Sequence, residues 1–241
     1  MSFGTTDMKN YILNGIKACR LLSLVALFFF SVGASAQDGT IDSSFLNSHY
    51  VQRLAFFKQM PPQKKEIVFL GNSITEGGEW QELIPGKHVL NRGISGDVTY
   101  GVLARLDEIV GSKPSKVFIM VGINDLKRGI PIDVILHNYS KIVGYIREKS
   151  PRSKVYIQSV LPINTYMLGE SYKKITPDLI RELNRKLEHL AKEKHLTYLD
   201  VQSVFVNEQG LMKKEVTLDG IHLRSAAYIL WVKYLRDVHA L

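Results

Sequence analysis

Apolar residues along the chain alternate between short continuous runs and patterns with helical spacing. Five continuous runs end at glycine or polar clusters, at residues 67–70, 88–91, 116–122, 154–161 and 196–201. Continuous runs of β-branched and apolar residues are typical of strands that are covered on both faces. We therefore predict five buried strands, of which the second has the weakest pattern.

Helical spacing fills the gaps between these runs. Four sets of apolar residues recur every three or four positions: Leu103, Leu106 and Val110; Ile135, Tyr139, Ile142 and Ile146; Ile180, Leu183, Leu187 and Leu190; Ala227, Leu230, Trp231, Tyr234 and Val238. Thr176 and Pro177 predict the start of the third helix, because a capping hydroxyl there precedes a proline at the first helical position. The alternation predicts one parallel sheet with helices on both faces.

Polar clusters follow the predicted strands. They are Asn72-Ser73, residues 93–97, residues 122–125 and residues 219–222. The carboxyl ends of parallel strands meet along one edge of a sheet, and ligands bind outside that edge. We therefore expect all four clusters to gather there.

The first 36 residues have the pattern of a secretory signal. Three basic residues, Lys9, Lys17 and Arg20, precede an apolar run at residues 21–30, and small residues ending at Ala36 follow. The run is short for a membrane-spanning helix, which needs about 20 apolar residues. We predict cleavage after Ala36, export to the periplasm or the extracellular space, and no membrane span in the mature chain.

Cleavage leaves 241 − 36 = 205 residues, enough for one well-cored domain. We assign residues 37–65 to an N-terminal extension, which we predict to be helical, and residues 66–241 to the domain. The only cysteine, Cys19, lies in the signal, so the mature chain has no disulfide and no thiol nucleophile. The net charge of +8 comes from scattered residues, and we expect no nucleic-acid partner.

Two kinds of chemistry fit the polar clusters poorly. The glycines after the first strand have neither the spacing nor the lysine of a phosphate-binding loop. The seven histidines form no H-x-x-x-H pattern, and Asp219 and His222 have no evident third ligand for zinc. We therefore expect neither a phosphate site nor a metal cofactor.

Nucleophilic catalysis fits the same clusters better. A serine hydroxyl is a weak nucleophile until a histidine takes its proton and a carboxylate orients that histidine. Ser73 lies at a strand-to-helix turn, and Asp219 and His222 are close enough in sequence for one turn to carry both. The oxyanion of a tetrahedral intermediate needs positioned donors, and the candidates are the N–H groups of Ser73 and Gly96 and the Asn124 amide.

Each of these features has a simpler explanation when it stands alone. A lone serine at such a turn is more often a helix cap, and an aspartate–histidine pair in a turn is about as often a structural hydrogen bond. Asn124-Asp125 also suits a turn. Their joint occurrence in successive clusters favours catalysis.

The four clusters resemble the sequence blocks of the SGNH hydrolases, also called GDSL esterases and lipases. The blocks are Gly71-Asn72-Ser73-Ile74, Gly93-Ile94-Ser95-Gly96-Asp97, Gly122-Ile123-Asn124-Asp125 and Asp219-Gly220-Ile221-His222-Leu223. The resemblance implies a flavodoxin-like three-layer α/β/α sandwich with a five-stranded parallel sheet. It implies that Ser73 is the nucleophile and that Asp219 and His222 assist it. It also implies an oxyanion hole of Ser73, Gly96 and Asn124.

One position departs from the family pattern, which usually has aspartate before the serine. Here that residue is Asn72, which is not one of the catalytic groups, so we expect activity to survive. The branch of the family that contains platelet-activating-factor acetylhydrolase-like proteins and bacterial carbohydrate acetylesterases is the most similar in the stretches GNSITEG and NRGISGD.

Together these observations predict an exported serine esterase without a cofactor. Its expected substrates are small-molecule or glycan esters, above all O-acetyl esters of carbohydrates. Trp80 follows the nucleophile closely and is a candidate for stacking on a sugar ring, although packing against the sheet is about as frequent for such a residue. Two alternatives stay open: a lysophospholipase or thioesterase for longer acyl chains, and a catalytically silent carbohydrate-binding protein.

Overall fold

Five parallel strands build the sheet predicted from the apolar runs. The computed structural model of the chain describes residues 43–241, so the predicted signal at residues 1–36 lies outside the described residues. The strands are β1 (Ile67–Gly71), β2 (Val89–Gly93), β3 (Lys116–Met120), β4 (Lys154–Gln158) and β5 (Thr197–Leu199). All of them pair in parallel, in the order β2-β1-β3-β4-β5. The prediction of a five-stranded parallel sheet is confirmed.

The strand order determines where a ligand can bind. The chain runs from β1 to β2 on one side and then crosses to β3 on the other side of β1. Ligands of such doubly wound sheets bind at this reversal, outside the carboxyl ends of the strands. Gly71 ends β1 and is paired with Gly93 of β2 and Met120 of β3, so the three following loops start at the same level.

Helices complete the predicted three-layer α/β/α sandwich, which is confirmed. They are α1 (Ser48–Gln59), α2 (Ser73–Glu76), α3 (Trp80–Leu83), α4 (Thr99–Leu103), α5 (Leu106–Gly111), α6 (Ile123–Lys127), α7 (Ile132–Lys149), α8 (Pro177–Glu193) and α9 (Ala227–Asp237). As predicted, α8 begins after Thr176, whose Oγ1 accepts a hydrogen bond from the Leu179 N–H at 3.2 Å. Within residues 43–241, no helix has the length and apolar character needed to span a membrane.

Two of the predicted helical patterns differ from the structure. The first predicted pattern, Leu103 to Val110, spans two short helices, α4 and α5. The helix is interrupted at Arg105, whose side chain is buried inside the domain. At the other end of the chain, Leu230 and Val238 are 41% and 43% exposed. The buried face of α9 instead follows Val232 and Leu235, because the helix is rotated relative to the predicted face.

Aromatic residues of neighbouring strands form the centre of the core. Phe69 of β1, Phe118 of β3 and Tyr156 of β4 are stacked, with ring centroids 4.9 Å and 4.7 Å apart. Such ring pairs contribute about 0.5–1.5 kcal/mol beyond the burial of their area. The strands that support the polar edge are therefore held firmly together.

The N-terminal extension packs against the domain. It contains α1, and the extension's Phe45, Tyr50 and Phe57 form a second, smaller core with Ile94 and Val98 from the segment after β2. Residues 43–241 belong to one compact unit by their internal contacts. The helical part of the extension therefore lies beside the loop that follows β2.

Candidate active site

The turn between β1 and α2 presents Ser73. Asn72 is buried, and its Oδ1 caps α2 by accepting the Ile74 N–H at 3.0 Å. An aspartate oxygen would accept the same bond, so the asparagine preserves this turn. A Cβ atom on Gly71 would lie 2.3 Å from the Met120 carbonyl oxygen, so only glycine fits between the strands here.

A second turn carries Asp219 and His222. Oδ1 of Asp219 accepts the N–H groups of Ile221 at 3.0 Å and His222 at 2.8 Å, and Oδ2 lies 2.7 Å from His222 Nδ1. Gly220 has a φ of +91°, and a Cβ atom on it would lie 2.6 Å from the Asn164 carbonyl oxygen. The turn therefore requires glycine and holds the imidazole against the carboxylate.

His222 connects this turn to the nucleophile turn. Its Nε2 lies 3.0 Å from Ser73 Oγ, with His222 30% exposed and Asp219 48% exposed. Burial raises the pKa of the Asp219 carboxyl, but hydrogen bonds from the backbone and ring of His222 outweigh it, and the net pKa lies below its usual value. An ionised Asp219 favours the tautomer with the proton on Nδ1, so Nε2 can accept the serine proton.

On the other side of Ser73, two loops bring hydrogen-bond donors to the same place. Gly96 follows β2 with a φ of +80°, and Asn124 lies in the first turn of α6 after β3. Asn124 Nδ2 donates to the Asp97 carbonyl oxygen at 2.9 Å, and an amide nitrogen carries a second N–H. Among the described residues, the backbone N–H groups of Ser73 and Gly96 have no hydrogen-bond acceptor. All three predicted donors therefore meet at one cleft.

Buried charged groups hold these loops in place. Asp97 pairs with Arg105 at 2.9 Å, and the same guanidinium donates to the Gly71 carbonyl oxygen at 3.2 Å. Asp125 accepts the Thr99 N–H at 3.0 Å and the Thr99 hydroxyl at 2.6 Å. Burial raises the pKa of the Asp97 carboxyl and of the Asp125 carboxyl to about 6. The Arg105 charge lowers the first pKa and hydrogen bonds from Thr99 lower the second, but burial outweighs both. No pattern in the sequence indicated this supporting role for Asp97, Thr99, Arg105 or Asp125.

The cleft above Ser73 has a volume of about 370 Å³. Four predicted site residues line it, and so do four others: Ser95, which belongs to the second sequence block, and Lys127, Arg128 and Tyr172, which no sequence pattern indicated. Lys127 Nζ lies 3.8 Å from the centre of the Tyr172 ring, which stands edge-on to the His222 ring. Tyr172 ends a 3₁₀ turn (Glu170–Tyr172) in the long connection between β4 and α8, where no periodic pattern marks it. Within residues 43–241, no group of three or more His, Cys, Asp or Glu side chains is placed to hold a metal ion.

The structure contradicts the suggested substrate contact of Trp80. This side chain is 1% exposed, its ring stacks on Phe69 with centroids 3.9 Å apart, and its Nε1 donates to the Thr75 carbonyl oxygen at 2.8 Å. The Trp231 ring lies edge-on at 5.1 Å. A ring enclosed in this way has no face for a sugar, so the stacking prediction is wrong, and Trp80 instead packs beneath the nucleophile turn.

Known proteins are similar to this chain in sequence and in fold. The profile of the GDSL-like Lipase/Acylhydrolase family matches residues 69–230. Platelet-activating factor acetylhydrolase IB subunit alpha2 from Gallus gallus is 28% identical over 219 residues, 86% of this chain and 89% of that protein. The Homo sapiens alpha1 subunit is 27% identical over 203 residues, 80% of this chain and 81% of that protein. A crystal structure of a GDSL-like lipase from Bacteroides thetaiotaomicron superposes with a TM-score of 0.66 at 25% identity, covering 80% of this chain and 98% of that one.

These similarities define the class of this protein: it is an acylhydrolase, an enzyme that cleaves carboxylic esters. Because the family profile matches well over half of its length, the chain belongs to the GDSL-like lipase/acylhydrolase family. The family resemblance found in the four sequence blocks is confirmed.

Proposed function

We propose that this chain is an exported serine esterase that removes short acyl groups, above all acetyl, from carbohydrates. The observation that carries the catalytic part is the series of contacts from Asp219 to His222 at 2.7 Å and from His222 to Ser73 at 3.0 Å. An activated serine next to hydrogen-bond donors is the arrangement that acyl transfer needs.

In the first half of the reaction, Ser73 Oγ forms a bond to the ester carbonyl carbon while its proton passes to His222 Nε2. The ionised Asp219 stabilises the imidazolium that results. The tetrahedral intermediate then breaks its bond to the alcohol oxygen, and His222 returns the proton to the leaving alcohol. An acyl-enzyme on Ser73 remains.

In the second half, water replaces the alcohol. His222 takes a proton from the water as its oxygen bonds to the acyl carbon, and the second intermediate breaks the bond to Ser73 Oγ, which regains a proton from His222. The carboxylic acid leaves and the free enzyme is restored. In both halves, the N–H groups of Ser73 and Gly96 and the second amide N–H of Asn124 donate to the oxyanion.

The lining of the cleft supports a short acyl group. Apart from the Tyr172 ring, its described residues are serines, a glycine, an asparagine, a histidine and two cations. A long acyl chain gains affinity by burying methylenes, at about 0.8 kcal/mol each, and such a lining offers them little apolar surface. The relatives reported above carry the name acetylhydrolase, which also supports an acetyl group.

Carbohydrate as the alcohol and export from the cell are supported by sequence alone. Residues 1–36 have the signal pattern, and an exported hydrolase meets polysaccharides outside the cytoplasm. Mass spectrometry of the protein recovered from the periplasm and the medium tests export, because cleavage after Ala36 leaves a chain that starts at Gln37.

The test of the catalytic proposal is hydrolysis of aryl esters of increasing acyl length, from acetyl through butyryl to octanoyl, by the mature protein. We expect the highest kcat/KM with acetyl and a steep fall beyond it. A pocket for longer chains would instead raise kcat/KM by about fourfold per buried methylene. A maximum at octanoyl would therefore favour the lysophospholipase or thioesterase alternative.

The matched control is Ser73→Ala, which keeps the fold and removes the nucleophile. Release of acetate from an acetylated polysaccharide, compared with an acetylated glycerophospholipid, then identifies the alcohol. A correctly folded Ser73→Ala variant with wild-type rates would rule out the serine mechanism. Glycan binding without hydrolysis of any ester would support the silent carbohydrate-binding alternative.

A further inference from the structure

Glu76 connects three parts of the molecule at the edge of the cleft. It is the last residue of α2, the short helix that starts at the nucleophile. Its Oε2 accepts the Ser95 N–H at 2.6 Å and the Ser95 hydroxyl at 2.5 Å. From α1, His49 Nε2 lies 3.1 Å from both carboxylate oxygens and Arg53 Nε lies 3.0 Å from Oε1. One carboxylate therefore joins the nucleophile helix, the loop after β2 and the N-terminal helix.

The loop after β2 is held by contacts on both sides of the Gly96 N–H group. Glu76 holds Ser95, which directly precedes Gly96, by both its backbone and its side chain. The Gly96 carbonyl oxygen accepts a hydrogen bond from Arg128 Nη2 at 3.0 Å, and Arg128 Nη1 donates to Ser44 Oγ at 2.5 Å. Glu76, which holds Ser95, and Arg128, which holds Gly96, therefore both contact residues 43–59. These residues precede the part of the chain that the family profile matches.

Apolar packing links the same two regions. Ile94 and Val98, on either side of the Ser95–Gly96 pair, are completely buried against Phe45, Tyr50 and Phe57. Burying a large apolar side chain stabilises a fold by about 1.5–3 kcal/mol. The conformation of this loop therefore depends on the extension in its apolar contacts as well as in its polar ones.

The charge of Glu76 suits this arrangement. Burial raises the pKa of its carboxyl, but hydrogen bonds from Ser95 and His49 outweigh burial, so the net pKa lies below its usual value. At neutral pH an ionised carboxylate therefore accepts the Ser95 donors, and charge-assisted hydrogen bonds of this kind are stronger than neutral ones. Arg53 supplies the compensating positive charge and rests on the Phe57 ring, 4.7 Å from its centroid.

We propose that Glu76 is a positioning residue for acyl transfer and that α1 contributes to the active site through it. Glu76, held by His49 and Arg53, fixes Ser95 so that the Gly96 N–H faces the developing oxyanion. This inference rests on the proposed function, because it assigns Gly96 the part of an oxyanion donor. Such donors act only when they are already in place before the charge develops.

The expected kinetic effect is a loss of kcat with little change in KM, because the Gly96 N–H contact forms mainly in the transition state. Removing an oxyanion donor costs about 10²–10³ in kcat, and displacing one of three donors costs less. For Glu76→Ala we therefore expect kcat to fall about 10- to 100-fold. Glu76→Gln keeps an oxygen that accepts the Ser95 N–H and should recover most of that loss.

Two further variants complete the kinetic test. Glu79→Ala is the matched control, since Glu79 is an exposed glutamate three residues along the chain whose side chain caps no helix, and wild-type kcat is expected. The double variant His49→Gln with Arg53→Gln releases the carboxylate from α1 without changing α2. We expect it to lower kcat by about three- to tenfold, again at constant KM.

Amide hydrogen exchange supplies a measurement that does not depend on activity. In Glu76→Ala, exchange should become faster in residues 93–98, while the strands β1 and β3 stay as protected as in the wild-type protein. Glu79→Ala should leave both regions unchanged. Faster exchange confined to residues 93–98 separates a positioning role from a general loss of stability.

Wild-type kcat together with unchanged exchange at residues 93–98 in folded Glu76→Ala would overturn the proposal. If Glu76→Ala does not fold, the double variant decides, and wild-type kcat and exchange in that variant would likewise overturn it. If the wild-type protein hydrolyses no ester, the proposed function fails, whereas the exchange comparison still decides whether Glu76 positions the loop.

Discussion

The two sides of the cleft are built in different ways. The proton-transfer side, Asp219 to His222, is a single turn whose members are three residues apart and partly exposed. The oxyanion side, formed by the loops that carry Gly96 and Asn124, depends on distant and buried contacts. Asn124 reaches the Asp97 carbonyl oxygen across 27 residues of sequence.

The difference matches what each side does in the proposed mechanism. A histidine that exchanges protons with substrate and water needs access to solvent and a fixed tautomer, and one carboxylate in the same turn supplies that tautomer. Donors that stabilise an oxyanion must be rigid before the reaction begins, because they gain nothing if they have to reorganise. Buried pairs such as Asp97 with Arg105 provide that rigidity.

The largest expected effect lies on the proton-transfer side. His222→Ala removes the proton acceptor of Ser73, and we expect kcat to fall by roughly 10⁴-fold or more. Because His222 is partly exposed and held mainly by its own turn, the free energy of unfolding should change by less than about 1 kcal/mol. Ester hydrolysis and urea unfolding measure the two quantities.

An exposed histidine provides the comparison for this variant. His189 pairs with Glu193 on the surface of α8, and His189→Ala should leave both kcat and stability unchanged. If His222→Ala lowered the free energy of unfolding by several kcal/mol, the contrast between an independent turn and a buried network would be wrong.

Asn124→Ala should affect activity less and stability more. We expect kcat to fall about 10²–10³-fold, since one oxyanion donor is lost. We also expect the free energy of unfolding to fall by about 1–3 kcal/mol, because the buried Asp97 carbonyl oxygen loses its donor. The same two measurements as for His222→Ala apply.

Asn184 is the matched control for Asn124. It is also buried, and its amide donates to the Val160 carbonyl oxygen at 2.8 Å, but it does not line the cleft. Asn184→Ala should lower stability by a similar amount and leave kcat close to the wild-type value. Equal losses of kcat in the two variants would mean that Asn124 acts only through the fold.

The last expected effect is a pH dependence of stability on the oxyanion side. Burial raises the pKa of Asp125 to about 6 from 3.8, so the folded state holds a proton that the unfolded state has lost. The contribution of this proton to stability is complete below the unfolded pKa and is lost as pH rises through about 6. Asp125→Asn should therefore gain stability relative to wild type, by about 2–3 kcal/mol between pH 4 and pH 7.

Urea unfolding of both proteins across this pH range measures the difference, in which the titrations of groups that do not interact with Asp125 cancel, while Asp97, whose charge acts on Asp125, contributes to it. Asp133 is exposed on α7, so Asp133→Asn should show no comparable change with pH. A stability difference for Asp125→Asn that stays constant with pH would show that the carboxyl is ionised throughout, with Thr99 compensating its burial.

Local patterns were enough to predict much of this molecule. β1, β3 and β4 follow continuous apolar runs, and α8 starts at a threonine cap followed by proline. The sequence blocks predicted four of the residues that line the cleft, namely Ser73, Gly96, Asn124 and His222. β5 is shorter than its apolar run because it lies at the sheet edge and pairs with β4 alone.

Other features of the structure have no recognisable pattern in the sequence. Arg105 stands in an apolar pattern, and only its buried contacts with Asp97 and two strands explain it. Trp80 looks the same in sequence whether it faces a sugar or the core, and its burial decides between them. Glu76 reaches Ser95 of the cleft, and Tyr172 reaches His222, because segments far apart in the chain pack against each other.

By itself, the sequence determined the strands, the turns and the chemistry at their ends, because backbone propensity, glycine requirements and short-range pairs such as Asp219 with His222 act within a few residues. The tertiary structure alone decided which buried charges hold the oxyanion side, and it alone brought the N-terminal helix to Glu76. Those contacts depend on the relative placement of segments distant in sequence, and that placement follows from burial of the whole core.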